Sequence, residues 1–107
     1  MATVKITVVH RGLNPGLVDR YLKKDRHPNG FGVCPFLSDG QQFVVRDEPD
    51  KPSDFPCEWA WNDIHRDVAI VLFGGSLPWM AEPGTAITCC SDAFRPVSFL
   101  VERISEP

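Results

Sequence analysis

The segment C-E-W-A-W-N-D-I-H-R-D-V-A-I-V-L-F (57–73) decides how this chain folds. Trp61, Ile64, Val68, Val71 and Leu72 fall at i, i+3, i+7, i+10 and i+11, the stripe of a helix with one buried face. Pro56 stands just before it, and Gly74-Gly75 ends it. The spacing predicts the main helix over about residues 57–73. A helix with one apolar stripe needs a partner surface, and the flanking sequence supplies strands.

Upstream, Val4, Ile6 and Val8 alternate with Lys5, Thr7 and Val9, which predicts a half-buried strand over about 3–10. Asn14 suits a helix cap and Pro15 a first helical position. Leu17, Val18, Tyr21 and Leu22 then predict a short helix over about 15–24. V-C-P-F-L-S-D-G-Q-Q-F-V-V-R (33–46) predicts two extended pieces around an S-D-G turn. The acidic, proline-rich segment 47–56 predicts a surface loop.

Downstream, T-A-I-T-C-C (85–90) and V-S-F-L-V-E-R-I (97–104) predict an antiparallel pair joined by S-D-A-F-R-P. The order β-α-β-β-α-β-β gives an α+β fold. It is a small antiparallel or mixed sheet, with a barrel-like curl as one outcome, covered by the main helix and carrying the short N-terminal one. Parallel pairing of the first strand is left open.

The 107 residues suit one domain, 1–107, with one core. Hydrophobic residues at 43% and charged residues at 23% are ordinary globular usage, which argues against disorder. A net charge of −3 offers no broad basic field, so neither nucleic acid nor an anionic membrane is an expected partner. The basic cluster R-Y-L-K-K-D-R (20–26) reads as a solvated helix end, with a phosphate site as the alternative. No apolar run approaches the roughly 18 residues of a membrane span, and the N-terminus alternates instead of forming a signal-peptide core. A soluble, cytoplasmic protein is expected. There, cysteines serve as thiols, metal ligands or catalytic groups more than as disulfides.

Cys57 is the sharpest candidate. A thiol at the start of a helix meets unpaired N–H groups and the positive end of the dipole, which suits a nucleophile or a metal ligand. The plainer alternative is a small half-buried residue. Cys34, held extended by Pro35, is either a core residue or a partner of Cys57. Neighbours in a strand point to opposite faces. Of Cys89 and Cys90, Cys90 is therefore assigned to the site and Cys89, in phase with Ile87, to the core.

No C-x-x-C pair is present, which weakens the case for a zinc knuckle. A dispersed site of Cys34, Cys57 and Cys90 for Zn or another thiophilic metal remains, with His10, His27 or His65 as a fourth ligand. His65, over two turns beyond Cys57, is expected at the surface instead. Trp59 and Trp61 form either core packing or an aromatic wall for a small-molecule ligand, and Trp79 offers the same two choices. Asp63 and Asp67 read as the polar face of the helix. Asp92 suits an Asx-turn or an acid/base role. Arg95 suits an ion pair with Asp92 or Glu102, or a clamp on a ligand's carboxylate or phosphate. No phosphate loop, H-E-x-x-H or hydrolase elbow occurs.

The blocks C-E-W-A-W-N-D-I (57–64) and C-C-S-D-A-F-R-P-V-S-F-L-V-E-R-I (89–104), with V-K-I-T-V and C-P-F-L-S-D-G-Q-Q-F, resemble a family of small, mostly prokaryotic, functionally uncharacterised proteins. Its members are of about this length, and some carry the domain in tandem. The resemblance covers nearly the whole chain. It rests on C-x-W-A-W (Cys57, Trp59, Ala60, Trp61) and on C-x-D-x-x-R-P-V-x-F-x-x-E-R (Cys90, Asp92, Arg95, Pro96, Val97, Phe99, Glu102, Arg103). Ala93-Phe94 stands where such proteins commonly have Gly-Leu, a departure confined to the turn. The resemblance implies that Cys34, Cys57 and Cys90 share a feature, and it implies no reaction.

Two functions follow. One is a metal- or thiol-dependent enzyme acting on a small molecule. Cys57 is its catalytic thiolate or ligand, Asp92 an acid/base or orienting group, Arg95 an anion clamp, and Trp59 and Trp61 the wall. The other is a non-catalytic binding or accessory domain whose cysteines are structural or packed. The short chain has little room for a deep pocket unless it forms a homo-oligomer.

Overall fold

Residues 2–106 are described in the computed structural model. The elements are β1 (Thr3–Arg11), α1 (Pro15–Tyr21), β2 (Gln42–Arg46), α2 (Glu58–Leu72), β3 (Thr85–Cys89) and β4 (Val97–Ser105). The four strands form one sheet in the order β2-β1-β4-β3, antiparallel at every pairing. The fold is α+β as expected. The sheet is not mixed and not closed into a barrel, because β2 and β3 end it as free edges.

The alternation of β1 has a direct cause. Val4, Ile6 and Val8 face α2 together with Phe43, Val45, Ala86, Val97, Phe99 and Val101. Against them α2 sets Trp61, Ile64, Val68, Val71 and Leu72, the stripe seen in the sequence. Burying each such side chain is worth about 1.5–3 kcal/mol before entropy is set against it. The last turn of α2 is tied to the sheet by Arg103, whose side chain is 10% exposed. Its Nη1 donates to the carbonyls of Val71 and Gly75, both at 2.9 Å, and so satisfies acceptors that a helix end leaves orphaned.

Asp67, read from sequence as part of the polar face of α2, is buried at 7% exposed, and four further expectations need correction. The predicted helix over 15–24 stops at Tyr21, and a single 3-10 turn follows at Lys24–Arg26. Val18 is its one buried residue, so no apolar stripe carries the helix further. The first extended piece, around Cys34–Leu37, is not a strand. Pro35 has no N–H for a ladder, and Arg11 Nη1 takes the carbonyls of Cys34 and Leu37 at 2.9 and 3.0 Å. The 47–56 loop is not wholly at the surface: Phe55, 2% exposed, packs on Phe43, Trp61 and Phe99 at 4.7, 5.7 and 5.8 Å between centroids. Finally, Cys89 is exposed and is not a core residue. The helix covers only one face of the sheet, and Ile87, its phase-mate on β3, is itself 53% exposed on the uncovered side.

A register shift in β1 between Val8 and His10 has a consequence for the site. Val8 pairs with Phe99, His10 with Ser98 and Arg11 with Val97. The extra residue, Val9, reverses the inward–outward phase, as a β-bulge does. Arg11 thereby shares the inner face with buried Val97 instead of the outer face with Lys5 and Thr7.

Candidate functional site: a cysteine-lined pocket

One end of the sheet opens into a pocket of about 460 Å³. Cys34, Cys57 and Cys90, distant in sequence, all line it. Trp59, Asp63, Asp92 and Arg95 line it too, with Phe36, Leu37 and Val97 among the apolar contributors.

Cys57 is the N-cap of α2, and its Sγ accepts the Ala60 N–H at 3.4 Å. That is the place where Ser, Thr or Asp commonly satisfies an orphan donor. Cys90 follows the end of β3, where the strand has released its neighbour to the outer side. Its N–H donates to the Val97 carbonyl at 3.0 Å, and its Sγ accepts the Val97 N–H at 3.2 Å. The sulfur thus continues the ladder by one rung. Cys34 is buried and packs with the core, while Arg11 fixes its backbone. All four cysteines are free thiols.

The turn between β3 and β4 carries Asp92 and Arg95. Asp92 Oδ1 accepts the N–H groups of Phe94 (2.9 Å) and Arg95 (3.2 Å), the expected Asx-turn. Its Oδ2 accepts Arg95 Nε at 3.4 Å. Glu102 is not the partner of Arg95 and instead faces Lys5 at 3.8 Å. The guanidinium of Arg95 lies over Phe31, 4.7 Å from its centroid, and 5.7 Å from that of Phe36. Rings at these distances attract the cation through their faces. Asn14 buttresses the turn from outside. It makes no side-chain cap on α1; its Nδ2 donates to the Ala93 carbonyl at 2.6 Å.

Asp63, taken from sequence as helix surface, closes the assembly. Its Oδ2 accepts both the N–H and the Oγ of Ser91, at 2.7 and 2.8 Å. It stands four residues after Trp59 and three after Ala60, on one helix face with both. That spacing, set beside the Cys57 N-cap, was the available signal. Arg11 left no such trace, because its role depends on the bulge. Trp59, 83% exposed, borders the pocket, whereas Trp61, 7% exposed, does not line it and belongs to the core. Among the described residues no histidine lines it: His65 is exposed and packs on Trp61, and His27 packs on Phe31. Among the described residues no three His, Cys, Asp or Glu side chains stand together as a ready cation site.

Comparison with family models, with curated proteins and with solved structures finds no match. Among the described residues no helix is long and apolar enough to cross a membrane.

Proposed function

We propose that this chain is a small-molecule-binding domain whose pocket presents a reactive thiol, Cys57, to its ligand. The observation that carries this reading is that three cysteines from distant segments line one pocket together with Arg95. Its volume falls within the range of about 300–1,000 Å³ usual for small-molecule sites. Cys57 combines a helix N-terminus with an N–H aimed at sulfur, a setting that supports nucleophilic or ligating sulfur. Asp92 orients Arg95 and the turn, and Trp59 walls the entrance. Use of the thiol in catalysis is the enzymatic form of this reading.

Alkylation by iodoacetamide, followed peptide by peptide, tests it. Cys57 is expected to react faster than the exposed Cys89. Equal or slower reaction removes the reactive-thiol reading and favours a binding or accessory domain whose cysteines only pack.

A second reading has one observation in its favour, the same shared lining. Cys34, Cys57 and Cys90 then hold Zn²⁺ or another thiophilic metal after their side chains converge, with backbone N–H groups supporting the thiolates of Cys57 and Cys90. Reduced protein, prepared without chelator and offered Zn²⁺, is then expected to retain about one equivalent, as a single such site requires, and Cys57→Ser to lose it. Metal-free protein after that treatment removes this reading.

A further inference from the structure

The ligand's chemistry can be narrowed from the charges around the pocket. Among the described residues, Arg95 is the one cationic side chain lining it. Its Nε is taken by Asp92, and the rings of Phe31 and Phe36 lie 4.7 and 5.7 Å from the guanidinium carbon. Its terminal nitrogens, Nη1 and Nη2, have no hydrogen-bond partner among the described residues, while the side chain remains about one-fifth exposed. A guanidinium fixed along one edge and free along the other is prepared for a planar, two-oxygen acceptor.

The lining also limits the charge such an acceptor can carry. Asp63 and Asp92 line the same pocket, so one cation is set against two carboxylates. That net charge of −1 opposes any anion, a phosphate dianion about twice as strongly as a monocarboxylate, so the free guanidinium edge can hold a single carboxylate locally with the smaller opposing field. The remaining wall is mainly apolar, with Phe36 and Trp59 exposed at its rim. Flat aromatic walls suit a flat apolar body.

We infer that the pocket takes a small monocarboxylate with a planar apolar body, its carboxylate on the terminal nitrogens of Arg95. This rests on the proposed pocket function and adds the ligand class.

The test uses the full chain and three probes: phenylacetate, phenylacetamide and inorganic phosphate. Binding is followed by amide chemical shifts and by calorimetry. Phenylacetate is expected to bind about tenfold tighter than the amide, as a partly exposed charge-assisted bidentate contact allows. Its shifts should centre on Arg95 and Trp59, and phosphate should not displace it. Arg95→Gln is expected to bind acid and amide alike. Equal binding of acid and amide to the wild type overturns the inference without recourse to any variant. So does displacement by phosphate, or the absence of shifts at Arg95 and Trp59 with phenylacetate. Acid-selective binding together with slow alkylation of Cys57 removes the thiol reading and leaves the carboxylate site standing.

Discussion

Asp63 on α2 holds Ser91 beyond the end of β3 with a single oxygen, accepting the backbone N–H at 2.7 Å and the hydroxyl at 2.8 Å. The contact latches the helix that carries Cys57 to the turn that carries Asp92 and Arg95. Both groups are exposed, so the net worth of the pair is modest. Asp63→Ala is expected to destabilise by about 1 kcal/mol and to speed amide exchange at Ser91. Ser91→Ala, which keeps the backbone bond, should do less. Equal effects from the two variants would show that the backbone bond contributes nothing.

The N-cap role of Cys57 predicts an asymmetry between two small substitutions. Serine is a preferred cap and keeps an acceptor in place; alanine has none. Cys57→Ala is expected to lose about 0.5–1 kcal/mol in denaturant unfolding, since sulfur is a weak acceptor. Cys57→Ser should match or exceed the wild type. Comparable loss in both would mean that the sulfur does not cap the helix.

Arg103 reaches from β4 to the end of α2 with little exposure. Arg103→Met keeps much of the apolar stem and removes the donors to Val71 and Gly75. The expected loss is about 2 kcal/mol, the scale of a largely buried charge-assisted contact whose acceptors are left unpaired. Urea unfolding measures it, and a value within error of the wild type would contradict the role.

Arg11 and Asp39 give a pH dependence of known sign. The hydrogen bond from Arg11, at 3.0 Å, holds the Asp39 carboxyl below its ordinary range. A depressed carboxylate stabilises the fold above its unfolded value and loses that contribution as pH falls from about 4 through the folded value. The melting temperature of the wild type should therefore exceed that of Asp39→Asn at neutral pH. The gap should close in acid. A gap that does not change with pH would mean that the ion pair is not formed in solution. Arg11→Ala should also speed proteolysis around residues 34–39, where it holds the carbonyls of Cys34 and Leu37.

What the sequence disclosed followed from periodicity. The stripe of α2 and the alternation of β1 are direct imprints of one covered face, and both survive in the structure with boundaries shifted by a residue or so. Cys57 at a helix start and Cys90 at a strand end could each be placed, but Cys34 was read as extended, and the grouping of the three rested on thiol chemistry and on the family resemblance; the shared pocket lining is what the structure adds. What stayed hidden depends on which face is covered and on breaks in phase. Ile87 is apolar yet faces outward, and it carried Cys89 to the wrong side. Phe55 lies in a loop whose charges and prolines concealed an anchor. Arg11 reaches its partners only because Val9 interrupts the strand, and nothing local in H-R-G-L marks that interruption.

The bulge at Val9, the Asp63 latch and the Asn14 brace all act at one end of the sheet, away from the middle of the hydrophobic cluster. Phe36, Trp59 and Ala93 project there from already exposed positions. The pocket rim can therefore be rewritten while the scaffold stays as it is. A library varied at those three positions would retain folding in most of its members, which makes this small chain a frame on which new ligand preferences can be selected.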